Sequence, residues 1–579
     1  MTSQTASSRG LWLPLTGALL AVAVRLPFLL QAESFFNADE AVEGLMARHV
    51  ADLPVFFWGQ DYKGVPEAYL LAPLVGVMGG SVALVKAVAV VVWAAAVAVL
   101  VRLTDRWWGP LAAVIAGVWL AVGPPAFLYW TTSGSPEVAW LTLVFAMLLL
   151  ADDRASQIPG AEREGGRVLP RLFLWCGVAL WIHPVAACGV LAWLLTVGLR
   201  LPGWRNGGWR SLRDAITGAE LARVPRVVVR TLNLAIAVLS AAFVFTFAGG
   251  TFTLGFIRAS HPQRSLRTIV VLGVLSWLVT AASHPRVGWR RVARCAAWFA
   301  LGSAPVWLHV ARGGRVGTAV ITRYVADMPE VLGGIASQFG PMTAGLRDAS
   351  NAPLPVSAWL GAVFALALGV AFLRGAVAVV TAVRQPDRGI GPRGTFAALA
   401  LGLCAALLTV GGTFAGPPSL RYVLPFLPFL MVGAAGAVAA LSRRSQLAGL
   451  AVVVVTVWGL GSGAQAWYRT LYTEPSAREL LACLEGHGID AASADYWIAY
   501  RLTYLSAERV IVVPFDREQD RYAPYRRRVE ASATAVRIEE RGSPSPAGLA
   551  GVAPTCETRT LTARVMTAPR VPSPGGTRP

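Results

Sequence analysis

A polytopic bundle of about 12 to 13 transmembrane helices with a small C-terminal α/β domain is the mainly α fold class this sequence predicts. Three observations predict it. The 579 residues are 55% hydrophobic and 14% charged, with a mean hydropathy of +0.55, which is too apolar for a soluble globular chain. Apolar runs of membrane-spanning length recur through residues 1–466, the predicted transmembrane domain. After Gln465 the pattern changes, with a helix-like stretch at 477–487, an aromatic stretch after Ser493-Ala494 and a β-type run at Val510-Ile511-Val512-Val513.

The first apolar run, about Leu11 to Leu30, follows Arg9 and meets no small-residue cleavage site, so it reads as a retained helix rather than a cleaved signal. The formal net charge is +19, and the basic excess is nearly all arginine, Lys63 and Lys86 being the only lysines. Arginines cluster between apolar runs, at Arg9, at Arg102 and Arg106, and from Arg200 to Arg230. That distribution marks cytoplasmic loops and argues against nucleic-acid binding. The N-terminus is then cytoplasmic, and the loop at 31–68 lies outside. The run from Pro110 to Phe127 returns to the outside near Glu137, and the next goes inward to Asp152-Asp153-Arg154.

From Leu172 to Leu199, 28 mostly apolar residues are interrupted by His183-Pro184, with basic loops on both sides. Equal charge at both ends predicts an even number of crossings, read as a shallow hairpin of two short helices. Further runs cover about 231–250, 267–283, 295–311, 356–380, 395–413, 423–441 and 447–466. Residues 312–357, rich in Gly and Pro, read as a second outer loop. Helix parity places the α/β domain, 467–541, outside the membrane, and residues 542–579 are so rich in Pro, Gly, Ser and Thr that they are expected to be largely disordered. Cys176, Cys188, Cys295 and Cys404 lie in apolar runs, whereas Cys483 and Cys556 would be free to form a disulfide in an extracytoplasmic domain.

The best candidate for chemistry is Asn37-Ala38-Asp39-Glu40-Ala41-Val42-Glu43, in an outer loop holding seven acids against two bases between Gln31 and Glu67. Asn37 and Glu40 have the spacing of a helix capping box, and Asp39 and Glu40 both suit the positive end of a helix dipole. Val42, Leu45, Met46 and Val50 make an apolar stripe at helical spacing, which predicts a helix lying on the membrane surface. Phe56, Phe57 and Trp58 are interfacial in type, while Gln60, Asp61, Tyr62 and Glu67 add groups of the kind that hold sugar hydroxyls.

Asp39-Glu40 after the first helix, the stretch Gly59-Gln60-x-Tyr62-x-Gly64-x-x-Glu67, Trp181-Ile182-His183-Pro184 and Arg421-Tyr422-Val423-Leu424-Pro425 together resemble the GT-C superfamily of membrane glycosyltransferases. The resemblance is to its bacterial branch similar to protein O-mannosyltransferases and the lipid A aminoarabinose transferase, and it covers most of residues 1–470. It implies a GT-C type fold in a bacterial inner membrane. It also implies sugar transfer from a polyprenyl-phosphate donor to an extracytoplasmic acceptor, with Asp39 as general base, Glu40 beside it in the acid pair, and inversion at the anomeric carbon. A carboxylate in that role takes the acceptor hydroxyl's proton as the bond forms. Developing charge on the lipid phosphate calls for a cation or directed donors, for which Arg421 and Tyr422 are the candidates; a snorkelling arginine and an interfacial anchor are the plain alternatives. Gln60, Tyr62, Glu67, Glu137 and His183 are the further substrate-binding candidates, with a packed residue at a helix break the plainer reading of His183. No cofactor is required. The acids would accept a divalent cation, but no spacing of His, Cys and acids demands one. The alternative function is a transporter or flippase, for which Lys86 and Arg374 inside apolar runs are the residues of interest.

Overall fold

The computed structural model describes residues 5–133, 136–157, 161–200, 223–248, 289–314, 328–385, 392–411, 417–472, 475–543 except 533, and 553–566, with short pieces at 251–254 and 257–259 and isolated positions at 272–279 and 316. Five of its helices are long and apolar enough to cross a membrane: Leu11–Leu30, Val82–Trp108, Pro225–Val244, Ala358–Arg384 and Gln446–Tyr468. Shorter apolar helices accompany them, and the chain is a multi-pass membrane protein. The expected span at 267–283 lies mostly outside the described residues.

In chain order the elements that matter here are α1 (Thr5–Leu30), α2 (Ala38–Arg48), β1 (Phe56–Phe57), β2 (Gln60–Gly64), α3 (Pro66–Met78), α4 (Val82–Trp108), α5 (Pro110–Val122), α6 (Pro125–Trp130), α7 (Pro136–Ser156), α8 (Ala161–Ile182) and α9 (Ala186–Arg200). Later come β3 (Phe252–Leu254), β4 (Ile257–Ala259), α10 (Ala358–Arg384), α11 (Pro392–Gly411), a 3-10 turn at Pro417–Tyr422, α12 (Leu427–Arg444) and α13 (Gln446–Tyr468). The break between α8 and α9 falls at His183-Pro184, where the proline has no N–H to continue the helix. The chain divides into two compact units.

The first unit comprises 1–25, 90–131 and 135–469. Its core is aromatic. Trp93 meets Phe127 edge-on at 4.9 Å, Trp119 meets Phe364 at 5.5 Å, and Phe145 lies between Phe396 and Phe426. Arg25, fully enclosed, donates to the Thr131 hydroxyl at 2.6 Å and to the carbonyls of Ala121 and Ala21 at 2.8 and 3.0 Å. A guanidinium at membrane depth is tolerated only when its donors are spent in this way. Asp152 and Asp153 at the end of α7 pair with Arg200 at 2.5 Å and Arg106 at 2.8 Å.

The second unit comprises 26–89, 132–134 and 470–579. The acidic segment at 31–68 therefore shares a unit with the C-terminal domain. Its C-terminal part begins with α14 (Ser476–Gly486), β5 (Ala491–Ala494), α15 (Tyr496–Leu505) and β6 (Ile511–Pro514), and continues with α16 (Ala523–Ala531), β7 (Ala535–Glu540), β8 (Cys556–Glu557) and β9 (Leu561–Met566). The strands form one sheet in the order β6-β5-β7-β9-β8. β5 is parallel to β6, with Ala491 opposite Ile511, and parallel to β7; β9 runs antiparallel to β7 and β8. β8 and β9 fall inside the stretch expected to be largely disordered, and that expectation is corrected there: Leu561, Ala563 and Val565 alternate with polar residues and give one face to the core. Residues 544–552 and 567–579 lie outside the described residues. Cys483 on α14 is disulfide-bonded to Cys556 on β8.

The apolar stripe of α2 does not lie on a membrane surface. Val42, Leu45 and Met46 are fully buried in a core shared with Tyr500, Leu502 and Tyr504 of α15. A side chain on Gly44 would collide with the Tyr504 ring, so the absence of a Cβ sets how closely the two helices approach. Gly44→Ala is expected to destabilise the protein by about 1–3 kcal/mol through overpacking, checked by thermal denaturation in detergent.

Candidate active-site clusters

Helix α2 starts as its sequence dictates. The Asn37 side chain accepts from the Glu40 amide at 3.0 Å, and the Asn37 amide donates to Glu40 Oε2 at 3.1 Å, a complete capping box. The other Glu40 oxygen meets Lys86 Nζ at 2.5 Å, both side chains being fully enclosed. One turn on, Glu43 pairs with Lys63 at 3.3 Å, also buried. The two lysines of the chain are thus each committed to an acid of α2.

Asp39 differs. It is partly exposed, and among the described residues it has no ion pair. Its Oδ1 accepts a hydrogen bond of 2.5 Å from the Tyr496 hydroxyl, at the start of α15. Burial, and then the Asp39 carboxylate itself, push the Tyr496 phenol well above its usual value, so it stays a donor across the working pH range. Tyr496 is held in turn by Arg521, whose guanidinium lies 5.0 Å from its ring centre, while Arg521 Nη1 donates to the Gly59 carbonyl at 3.3 Å. Gly59 has a φ of 68°, the left-handed geometry that turns β1 into β2.

Gln60 and Tyr62 sit half-exposed on β2, and Glu67 is buried in the first turn of α3. Asp39 makes no hydrogen bond or ion pair to any of these three; the residue that meets it is Tyr496, which lies in the family-like segment Asp495–Leu502 but is not among the site candidates read from the sequence. The available signal was the aromatic run Tyr496-Trp497-Ile498-Ala499-Tyr500, whose tyrosines recur four apart on one helix face.

In the first unit the structure brings together four of the sequence candidates. Arg421 Nε is 3.4 Å from Glu137 Oε1, and Arg421 Nη2 donates to the Tyr422 hydroxyl at 3.1 Å. The guanidinium lies over the Trp130 ring at 5.6 Å. Tyr422 stacks on His183 at 5.2 Å with 26° between the rings, and His183 Nδ1 accepts from the Val185 amide at 3.2 Å. The latter bond makes Nδ1 the acceptor nitrogen and leaves the proton of neutral His183 on Nε2. Arg421 is a quarter exposed and Glu137 is buried, so the arginine presents a fixed cation with one carboxylate behind it. Lys86, one of the two charges inside apolar runs, is enclosed by protein, and Arg374 is exposed.

A second network in the second unit joins α2 to the α/β domain. His49 Nε2 meets Glu508 Oε1 at 2.7 Å, and the Tyr525 hydroxyl donates to the same oxygen at 2.6 Å. The hydrogen bond to Glu508 raises the His49 pKa against the opposing effect of burial; Glu508 and Asp52 charges add to the rise and Arg48 opposes it. For Glu508, burial opposes ionisation, but the hydrogen bonds from His49 and Tyr525 outweigh it and its pKa is lowered. The histidine contribution to stability is fully present below its ordinary 6.5 and lost as pH rises through the folded value. The glutamate contribution is present above its ordinary 4.5 and lost as pH falls through the folded value. The contact is therefore strongest between 4.5 and 6.5. The stability difference between wild type and His49→Gln is expected to be largest in that window and to narrow above it, measured as thermal midpoints against pH.

Cys483, His487 and Cys556 come within metal-ligand distance of one another, but the two sulfurs are joined to each other and offer no thiolate.

No family model matches this chain, and no curated protein matches it. Among solved structures it is similar to the archaeal oligosaccharyltransferase AglB from Archaeoglobus fulgidus in complex with an inhibitory peptide and a dolichol-phosphate, with 13% identity and a TM-score of 0.47 over 93% of this chain and 70% of that one. It is similar to the Archaeoglobus fulgidus oligosaccharyltransferase complex with Zn and sulfate, with 12% identity and a TM-score of 0.45 over 91% of this chain and 68% of that one. It is also similar to ArnT from Cupriavidus metallidurans bound to undecaprenyl phosphate, with 12% identity and a TM-score of 0.38 over 95% of this chain and 98% of that one.

Proposed function

We propose that this protein is an integral membrane glycosyltransferase of GT-C type that moves a sugar from a polyprenyl-phosphate donor to an extracytoplasmic acceptor, with Asp39 as general base. The observation that carries the reading is the sorting of the acids on α2. Glu40 and Glu43 are neutralised by buried lysines, whereas Asp39 is partly exposed, has no cation among the described residues, and has one oxygen fixed by Tyr496. A base needs such a carboxylate: oriented through one oxygen, with the other left to take a proton.

In the proposed reaction the acceptor hydroxyl oxygen attacks the anomeric carbon and gives its proton to Asp39. The bond from that carbon to the phosphate oxygen breaks, and polyprenyl phosphate leaves with the electron pair. Single displacement inverts the anomeric configuration. Arg421, with Tyr422 beside it, is assigned to the phosphate charge, and Glu137 and His183 keep that pair oriented. Gln60, Tyr62 and Glu67 are assigned to hydroxyls of the sugar or acceptor. Glu40 is a positioning residue, since its two oxygens are engaged by the cap and by Lys86. The step balances without a metal. The Cys483–Cys556 disulfide supports an oxidising, extracytoplasmic setting for the C-terminal domain, and the arginine-rich loops support a cytoplasmic N-terminus in a bacterial inner membrane.

The test is transfer of label from a panel of radiolabelled polyprenyl-phosphate sugars in membranes carrying the full-length protein. Label moving into an acceptor with wild type, and not with folded Asp39→Asn, is expected. No transfer from any donor would overturn the reading in favour of a transporter or flippase.

A further inference from the structure

The α/β domain contains a cavity of about 400 Å³, within the range of small-molecule sites. It is separate from the groups assigned above to transfer. Its floor is apolar, from Ile498 and Leu502 on α15 and Leu561 on β9, and its polar lining is Arg501, Arg541, Arg559 and Glu540. Arg501, Arg541 and Arg559 thus line one cavity with Glu540, from three chain segments that only the fold brings together. Arg541 is engaged by Glu557 at 3.1 Å, and the Nε of Arg501 is buried. Arg559 is exposed, and among the described residues it has no ion pair.

We propose that this cavity binds an oxyanion carried on a sugar-sized body, either a sugar phosphate or a uronate. Three arginines against Glu540 and the Glu557 that pairs with Arg541 leave the cavity a net positive charge, and planar guanidinium groups grip carboxylate and phosphate oxygens through paired N–H donors. The apolar floor accepts the C–H face of a sugar ring, and Glu540 accepts its hydroxyl protons. Helix α15 carries the cavity on the face of Ile498, Arg501 and Leu502, while Tyr496 and Tyr504 turn to α2. A ligand would therefore brace the helix that holds Asp39, although the binding itself requires nothing of the transfer reaction.

The experiment is isothermal titration of the detergent-solubilised full-length protein, at low ionic strength, with glucose 6-phosphate, glucuronate, inorganic phosphate and uncharged glucose. Saturable binding of glucose 6-phosphate or glucuronate, tighter than that of inorganic phosphate and absent for glucose, is expected, and the tighter of the two identifies the oxyanion. Arg559→Gln, at an exposed position that leaves folding intact, should weaken binding about tenfold, and Arg501→Gln by at least as much. Binding of neither sugar anion, or affinities unchanged in folded Arg559→Gln, would overturn the proposal. Binding of inorganic phosphate as tightly as the sugar anions would likewise overturn it, marking a general anion patch.

Discussion

Asp39→Asn is expected to lower sugar transfer by about 10²–10⁴-fold, the span that a positioned general base contributes. The substitution is close to isosteric. The Asn side-chain oxygen still accepts from Tyr496, so the 2.5 Å contact between α2 and α15 has a counterpart in the variant. What is lost is the capacity to take a proton. Thermal midpoints matching the wild type, together with lost transfer, would locate the defect in chemistry. Tyr496→Phe makes the complementary test. It removes the donor and leaves the base, so transfer should fall less than in Asp39→Asn, because Asp39 keeps its proton-accepting oxygens and loses only the hydrogen bond that orients it. An Asp39→Asn protein that transfers at the wild-type rate would remove the residue from the mechanism.

Lys86→Met is expected to cost about 3–5 kcal/mol of stability, the usual penalty for removing one partner of a buried ion pair. Lys86 and Glu40 are 2.5 Å apart and essentially inaccessible to water. Without the ammonium, Glu40 keeps its charge in an apolar surround or takes a proton, and either is costly. The double variant Lys86→Met/Glu40→Gln should recover most of the loss. A glutamine has no charge to strand, and its oxygen still accepts from the Asn37 amide and preserves the cap. Thermal unfolding in detergent of the two single variants and the double variant would measure the coupling; additive losses would show that the pair does not interact.

How much was legible in the sequence depends on the range of each interaction. The Asn37/Glu40 cap is a contact across three residues, and residue types alone announce it. The helix break at His183-Pro184 and the long apolar helices are equally local consequences of a missing N–H and of composition. The α/β domain was readable from its helix-like and β-type runs, but not its last two strands, since the Pro- and Gly-rich flanks of 556–566 obscure a short alternation. Spacing could not show that Lys63 and Lys86 are each spent on an acid of α2, although their being the only lysines was a hint. Glu137, His183, Arg421 and Tyr422 were each noticeable for their chemistry, yet their assembly joins segments hundreds of residues apart that no periodicity relates. The error over α2 has a similar origin. An amphipathic stripe states that a helix must cover its apolar face, and leaves open whether lipid or protein covers it.

The hydrogen bond between Asp39 and Tyr496 spans 457 residues of chain. At ordinary elongation rates of about 5–20 residues per second, roughly 20 to 90 s separates the synthesis of its two ends. Throughout that interval the buried face of α2 has no Tyr504 to cover it. A nascent or truncated chain would thus hold an uncovered apolar helix and an unoriented acid. Completion of the C-terminal segment is therefore what covers that helix and seats that acid.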